Sequence, residues 1–530
     1  MIQALLLLLL LALALIAAVI QAEALPELTR DVSRWSAAVG LLLAYGAGLL
    51  WWRARPRDSS PSEGAETAPP GSTWLLAYAS QTGTAAEIAQ RSAAALRSSG
   101  QTVDLRDLGS LDFEQLSAYS HALLVIATTG EGEAPESALG FVREVMVEAR
   151  PLPGLQTAVL ALGDRDYPQF CAFGHAVQAW LQQSGSCALH PVIEVDAGDP
   201  QALAQWHALL QSLAGGRTIG PVDEPSFEPW ILEQRQLLNP GSLGLPICLL
   251  RLRPQLPQRP TWSAGAIASL KLEQPPERLQ TWLDALAAQG ADFLPEQWQA
   301  LERQAKGARL PALAGCQGLP FAALIALLHP LPQRDYSIAS TAADGVIDRV
   351  LRETRTAQGE LGLGAAWLCR ACPIGHAIEL HVRENPQFGL PPKQSPLILI
   401  GAGTGIAGLR GLLRARLQAG ATANWLIFGE RQRHCDALFD QELQHSLENG
   451  GLQRLDQVYS REQNDLAYVQ DVLARQAERL RLWIEQGAPL RICGSADTMG
   501  KAVDQELQHI LGDSAMAALT ASGRCRKDVY

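Results

Sequence analysis

The sequence predicts a multidomain α/β protein in which two parallel α/β units flank an antiparallel barrel, behind a pair of membrane-spanning helices. Three observations carry this prediction. The N-terminus holds two apolar segments, apolar strands alternate with amphipathic helices in 73–214 and again in 396–530, and short strands with Pro-rich turns lie between these regions. Near-continuous apolar strands that alternate with helices are typical of a doubly wound parallel sheet. At 530 residues the chain is too long for one hydrophobic core.

The first 57 residues are predicted to form a membrane anchor. Residues 1–20 are almost uninterrupted Leu, Ala, Ile and Val, and about 20 apolar residues span one bilayer core. Residues 35–52 form a second apolar segment, and three arginines follow it directly. The positive-inside rule then predicts a multi-pass hairpin in the inner membrane, with the catalytic domains in the cytoplasm. The alternative is a cleaved signal peptide in the first segment, which leaves the second helix as the anchor.

The net charge and the cysteines limit the classes of partner and metal that the protein is expected to bind. The net charge of −11 argues against a nucleic-acid partner. Nine scattered cysteines indicate reduced thiols, and the close pair Cys369 and Cys372 lacks the second pair that a zinc site needs, so no metal is expected. Between 73 and 214, 15 Asp and Glu outnumber 6 Lys and Arg. This acidic surface is either a solvated face or a docking surface for a basic acceptor protein.

Shifts in composition predict the domain boundaries. Residues 58–72 are rich in Ser, Pro, Glu and Gly, which is typical of a flexible linker, and a second linker is predicted at 215–228. The predicted domains are 1–57, 73–214, 229–395 with a helical insert at about 276–328, and 396–530.

Three polar loops follow successive strands of the first α/β unit, at the edge where parallel sheets bind ligands. The loop Ser80–Thr84 joins hydroxyls and a glycine to a helix N-terminus, which suits a phosphate monoester. The loop Thr128–Pro135 has glycines that allow close approach to a ring, and Leu162–Cys171 offers Tyr167 for stacking. The residues predicted to bind a ligand here are Ser80, Gln81, Thr82, Gly83, Thr84, Thr128, Thr129, Gly130, Gly132, Gly163, Asp164, Tyr167 and Phe170.

Two further motifs lie downstream. The stretch Arg334–Ser340 reads RDYSIAS and combines a planar cation for a phosphate with an aromatic ring; the alternative is an ordinary strand end. The stretch 397–410 is an apolar strand, a Gly-rich turn and the start of a helix, which is the context that a dinucleotide-binding loop requires.

Together these motifs resemble the NADPH-dependent diflavin reductase family, which includes sulfite reductase flavoproteins and NADPH–haemoprotein reductases. The resemblance implies a flavodoxin-like FMN domain, an FAD-binding barrel and a ferredoxin-reductase-like NADP-binding domain, with FMN, FAD and NADPH as cofactors. It assigns Arg334 to the FAD phosphates and Tyr336 to the flavin ring. It places hydride transfer at Ser337, Cys493, Asp528 and Tyr530. The other residues that it assigns to FAD or NADPH are Gly362, Gly364, Ala365, Ala366, Gly403, Thr404, Gly405, Ser460, Arg461, Tyr468 and Gln470.

The function implied is electron transfer from NADPH to FAD, then FMN, then a one-electron acceptor. A membrane-associated haemoprotein or iron centre is the expected acceptor, because a membrane hairpin would bring the two together. The first alternative is the flavoprotein (alpha) component of an assimilatory sulfite reductase. The second is a docking protein that keeps the folds without turnover, suggested by departures from the family pattern at Ala365, Ala366, Leu466 and Ser495.

Overall fold

Three β-sheets follow one another along the chain. The computed structural model describes residues 73–129, 132–165, 169–214, 226–255, 261–356, 359–462 and 466–529. All of these residues lie in one compact unit.

The first sheet is parallel, with strand order β2-β1-β3-β4-β5 and with β6 also paired to β4. This order is flavodoxin-like. Successive residues of β1 alternate between two hydrophobic cores, because Trp74 and Leu76 face one side of the sheet while Leu75 and Ala77 face the other. Helices cover both faces. The elements are β1 (Thr73–Ala79), α1 (Thr84–Ser98), β2 (Thr102–Asp107), α2 (Phe113–Ser117), β3 (His121–Ala127), α3 (Leu139–Glu144), β4 (Gln156–Gly163), α4 (Ala172–Gln183), β5 (Cys187–Ala188), β6 (Ile193–Asp196) and α5 (Pro200–Leu213).

The second sheet is antiparallel, with strand order β10-β9-β12-β7-β8-β11. The chain just beyond β10 joins the opposite edge, because Ala339 N donates to Asp348 O (2.8 Å), so the sheet curls into a barrel. A helical segment is inserted between β9 and β10 and has its own apolar core. The elements are β7 (Glu228–Leu237), β8 (Ile247–Pro254), β9 (Ile267–Leu270), α6 (Pro276–Ala288), α7 (Pro295–Lys306), α8 (Phe321–Ala326), β10 (Arg334–Ser337), β11 (Ile347–Arg352), α9 (Leu363–Ala365), which runs into a π-helical turn (Ala366–Ala371), and β12 (Ala377–Arg383).

The third sheet is parallel, with strand order β15-β14-β13-β16-β17. Two apolar cores cover its faces, as expected of strands that read as continuous apolar runs. The elements are β13 (Leu397–Ala402), α10 (Ile406–Gln418), β14 (Asn424–Glu430), α11 (Arg433–Asp436), α12 (Asp440–Glu448), β15 (Arg454–Tyr459), α13 (Val469–Arg475), α14 (Ala477–Glu485), β16 (Leu490–Gly494), α15 (Lys501–Leu511), α16 (Asp513–Ala521) and β17 (Cys525–Val529).

The predicted location in the inner membrane is contradicted. Among the residues that the structure describes, no helix combines the length and the apolar character needed to cross a bilayer. The two segments on which the hairpin was predicted, 1–20 and 35–52, lie outside the described residues.

Candidate active site

A cavity of about 1350 Å³ runs between the three sheets. Thr82 and Asp164 line it from loops of the first sheet, Tyr336 lines it from the barrel, and Thr404 and Ser460 line it from the third sheet. The cavity thus brings together loops that are distant in sequence and that the motifs had marked separately.

The first phosphate-type loop connects β1 to the N-terminus of α1. Ser80 is buried, and its Oγ accepts a hydrogen bond from Gly83 N (3.0 Å). Gly83 has φ of +92°, a conformation that glycine adopts without strain and that turns the chain into the helix. Gln81 accepts from Glu136 N (2.9 Å) and donates to Lys527 O (3.0 Å). This predicted ligand-binding residue therefore ties the loop to β17 of the third sheet.

The second and third loops of this sheet meet beside the first. Thr129 N donates to Glu133 O (3.0 Å), which closes the second loop. A Cβ on Gly132 would lie 2.8 Å from the Cβ of Gln169, so only glycine lets the two loops approach this closely. Thr128 Oγ1 is buried and has no hydrogen-bond partner within the described part of the chain. An orphaned hydroxyl at this edge fits a bound FMN, whose polar groups would supply the missing partner. The structure describes the third loop up to residue 165 and again from residue 169, so it includes the predicted ligand-binding residues Gly163, Asp164 and Phe170. Two other predicted residues, Gly130 and Tyr167, lie outside the described residues.

Tyr336 of β10 lines the cavity. A Cβ on Gly364 would lie only 2.9 Å from the Tyr336 hydroxyl, so this glycine leaves room for the ring in its observed position. Arg334, predicted to hold FAD phosphates, lies 3.5 Å from Asp164 in the first sheet's third loop. Gly362 and Ala365 line the cavity where the chain enters the π-helical turn, and Gly362 N donates to Thr354 O (2.9 Å). These features fit an FAD whose ring lies on Tyr336.

Three of the predicted hydride-transfer residues come together at the end of β17. Ser337 Oγ donates to Asp528 Oδ2 (2.5 Å), and Cys493 Sγ lies 3.7 Å from the same oxygen. Burial raises the pKa of Asp528, and the hydrogen bonds from Ser337 and Cys493 oppose that rise. Burial also raises the pKa of the Cys493 thiol well above its ordinary value, so the thiol stays neutral. Tyr530, the fourth predicted residue, lies outside the described residues.

The Gly-rich turn of the third sheet packs tightly against its neighbour β16. A Cβ on Gly405 would lie 2.0 Å from Cys493 O, which excludes every other residue at this position. Gly403 has φ of +62°, and Thr404 beside it lines the cavity. The turn therefore lies against the strand that carries Cys493, as a site for a nicotinamide nucleotide would require.

The predicted 2′-phosphate residues lie on the same side of the cavity. Ser460, Tyr468 and Gln470 line it, and Arg461 follows Ser460 as an exposed side chain. Arg352 at the end of barrel strand β11 pairs with Glu430 at the end of β14, at a distance of 2.6 Å. These groups offer the hydroxyl and guanidinium chemistry that recognises a phosphate ester.

The structure adds residues that motif reasoning missed. Arg383 of β12 is buried and donates from Nε to Thr82 O (3.1 Å) and from Nη2 to Asp335 (2.7 Å), so it joins the barrel to the first phosphate-type loop. His381 of the same strand lies 3.0 Å from Glu87 of α1. Burial alone would raise the pKa of Glu87, but hydrogen bonds from His381 and Arg91 lower it to about 2. No local pattern marks Arg383 and His381, because their partners Thr82 and Glu87 lie about 300 positions away.

Comparison with known proteins gives two family models and a set of relatives of full length. The model for flavodoxin matches residues 76–207, and the model for the oxidoreductase NAD-binding domain matches residues 399–505. They confirm the flavodoxin-like and NADP-binding α/β folds that the sequence predicted, whereas the exact domain limits stay predictions.

The relatives carry the name sulfite reductase [NADPH] flavoprotein alpha-component. The protein from Shewanella oneidensis is 28% identical over 96% of this chain and 97% of its own length. The one from Yersinia enterocolitica is 28% identical over 96% of this chain and 98% of its own length. The one from Vibrio cholerae is 26% identical over 98% of this chain and 97% of its own length. Together with both family models, these relatives support the NADPH-dependent diflavin reductase family for this chain, an oxidoreductase whose cofactors are FMN, FAD and NADPH.

Proposed function

We propose that this protein is the flavoprotein component of a sulfite reductase, passing electrons from NADPH through FAD and FMN to a haem- or iron-containing partner protein. The observation that carries the proposal is the cavity that the three sheets share, which is lined by Thr82, Tyr336 and Ser460. The relatives match nearly the whole chain, and all three are named as components of sulfite reductase. Their name supports sulfite reduction as the reaction to which the electrons are supplied.

Bound FAD would accept a hydride from NADPH, and bound FMN would release the electrons singly. The chain's contribution is to bind and orient. In the first sheet, backbone N–H groups at the start of α1 and the hydroxyl of Ser80 would hold the FMN phosphate. In the third sheet, Ser460 and Arg461 would hold the 2′-phosphate that distinguishes NADPH from NADH.

Ser337, Cys493 and Asp528 would organise the hydride-transfer site. Because burial raises the pKa of Asp528, its carboxyl group can hold a proton at a pH where an exposed aspartate is ionised. The neutral Cys493 thiol adds no charge beside it. In this role the three side chains would bind the nicotinamide edge and keep charge low where a hydride leaves one ring for another.

The acidic first domain would supply the docking surface for the partner. Its excess of Asp and Glu over Lys and Arg gives a negative field that would speed the approach of a basic protein at low salt. Part of this acidic surface already faces cations of the other two domains, since Asp164 lies near Arg334 and Glu136 near Lys527 (3.7 Å). The partner would therefore reach the rest of that surface, or the whole of it when the first domain moves away from the barrel.

The test is reconstitution with the haemoprotein component of sulfite reductase from the same organism. The purified protein is analysed for FMN and FAD, mixed with NADPH without oxygen, and followed for flavin reduction and then for reduction of the partner's haem. We expect reduction of both flavins, then haem reduction that slows as salt is raised.

Ferricyanide serves as the control acceptor, because it takes one electron from any reduced flavin without specific docking. Ferricyanide reduction without haem reduction would refute the sulfite reductase assignment and leave a diflavin reductase with another acceptor. A purified protein without flavin would instead support the docking protein that lacks turnover.

A further inference from the structure

Arg349 of β11 is a fully buried cation inside the barrel. Its side chain has 0% exposure, and none of its three guanidinium nitrogens has a hydrogen-bond partner among the described residues. Burial lowers the pKa of Arg349 to about 9, which still leaves the group charged at neutral pH. Buried charges are costly unless they are paired, so an unpaired guanidinium at this position requires an explanation.

The acidic residues nearest to Arg349 pair with other cations. Asp348 precedes it in the strand and faces the opposite side of the sheet, where it lies 3.3 Å from Arg410. Asp335 accepts from Arg383 (2.7 Å). On its own face Arg349 is surrounded by apolar side chains of the barrel core, namely Leu250 across the strand pair and Ile347 and Leu351 along the strand. Within the described part of the chain no carboxylate forms a hydrogen bond or an ion pair with Arg349, although the charge of Asp335 is near enough to oppose the fall in its pKa.

The guanidinium of Arg349 stacks on Tyr336. Its central carbon lies 3.7 Å from the centre of the Tyr336 ring. Tyr336 lines the cavity, whereas Arg349 is fully buried, so the aromatic ring separates the cation from the cavity. Whatever lies on the cavity side of Tyr336 is one ring thickness away from a positive charge in a medium that screens it weakly.

We propose that Arg349 is the buried counter-charge of the FAD, acting through the Tyr336 ring to stabilise the negative charge that the flavin gains on reduction. This inference rests on the proposed function and on the fit of FAD to the cavity, in which the flavin ring lies on Tyr336. Arg349 is a positioning residue, because it acts through the Tyr336 ring and contacts neither NADPH nor the electron acceptor. Its effect is on the reduction equilibrium of FAD, because a fixed cation favours the form of the ring with more electrons.

A packing role is the rival explanation, since a stacked guanidinium also fills space in the barrel. The two explanations predict different results for Arg349→Met, which keeps much of the volume and removes the charge. If Arg349 only packs, the variant loses stability and keeps its FAD potential. If the charge acts on the flavin, the FAD potential falls, and the flavin-free protein is at least as stable as before because an unpaired buried charge has been removed.

The experiment is an anaerobic reductive titration of the full-length protein with dithionite, which reports flavin potentials without NADPH or any acceptor. Both flavins titrate in the same sample, so the FMN couple serves as an internal reference. In R349M we expect the FAD equilibrium to shift about tenfold against reduction, which corresponds to about 59 mV for a one-electron couple. The FMN couple should stay unchanged.

Two further variants complete the test. Arg349→Lys keeps the charge and should retain most of the wild-type potential; a shift equal to that of R349M would overturn the proposal. Arg253→Met removes an exposed barrel cation that lies 3.9 Å from Glu233, and solvent screening should leave the FAD potential unchanged. Equal shifts in R253M and R349M would also overturn it, as would an unchanged potential in R349M.

Folding and cofactor content are measured first. If R349M does not fold, Arg349→Gln takes its place as the neutral variant, with the same expected shift relative to R349K. A wild-type protein that holds no FAD would overturn the proposed function together with this inference, and cofactor analysis shows that outcome before any titration.

Discussion

Replacing Ser337 by alanine is expected to slow the reduction of FAD by NADPH by about 2- to 13-fold. The change removes one hydrogen bond, from Ser337 Oγ to Asp528 Oδ2 at 2.5 Å. Because burial raises the pKa of Asp528 and its carboxyl group can hold a proton, this is a hydrogen bond between neutral groups, which contributes about 0.5–1.5 kcal/mol. Since each 1.36 kcal/mol is a factor of about ten in rate, the range follows if the whole contribution is made in the transition state.

The assay is single-turnover reduction of FAD by NADPH in a stopped-flow instrument without oxygen, so that product release and the acceptor do not enter. Ser269→Ala is the matched control. Ser269 is also a barrel serine, and it donates to Asp335 at 2.6 Å, but it lies outside the group around Asp528. Equal rates for S337A and S269A would refute the role assigned to Ser337. A loss of more than about 10⁴-fold would point instead to disrupted nucleotide binding, which is checked by measuring the NADPH Kd.

Three further predictions concern the nucleotide site, stability and docking. Arg461→Ala should lower kcat/KM for NADPH by about 10- to 150-fold, with little effect on NADH, because only NADPH carries the 2′-phosphate that a guanidinium would bind. Asp528→Asn should raise the Tm, and by more at pH 8 than at pH 5. Burial raises the pKa of Asp528 above the pKa of about 3.9 that aspartate has in an unfolded chain. As the pH rises above about 3.9, ionisation of this carboxyl therefore lowers the free energy of unfolding, and asparagine removes that loss. Arg383→Met should slow electron passage from FAD to FMN about 5- to 150-fold, because losing the bond to Thr82 O leaves a partly buried acceptor unpaired, at about 1–3 kcal/mol of docking free energy.

Each of the three has a control. Arg475→Ala removes an exposed arginine elsewhere in the third domain, and the Arg461 prediction is contradicted if R475A changes the NADPH preference as much. For Asp528, a Tm difference that is the same at both pH values would contradict the link to ionisation. Lys271→Met removes an exposed cation of the barrel that pairs with Glu379 (2.7 Å), and it should leave electron passage between the flavins unchanged.

The sequence alone predicted the order of the folds and the loops that line the cavity. Apolar strands that alternate with helices report a parallel sheet because the periodicity of burial is local. The loops Ser80–Thr84 and Gly403–Gly405 follow such strands directly, and ligands of parallel sheets bind at those ends. The predicted membrane location is contradicted, because no helix of the described residues could cross a bilayer; that prediction was argued from the apolar character of the first 57 residues, which lie outside them.

Only the tertiary structure decided which distant residues meet. Ser337 and Asp528 are 191 positions apart, and their contact depends on how the third sheet packs against the barrel. Arg349 looks from its sequence like an ordinary charged residue on a strand, and its isolation appears only when the directions of Asp335 and Asp348 are known. Local patterns encode the elements because neighbouring residues set backbone conformation and burial period, whereas the pairing of buried charges is a property of packed surfaces that no single segment contains.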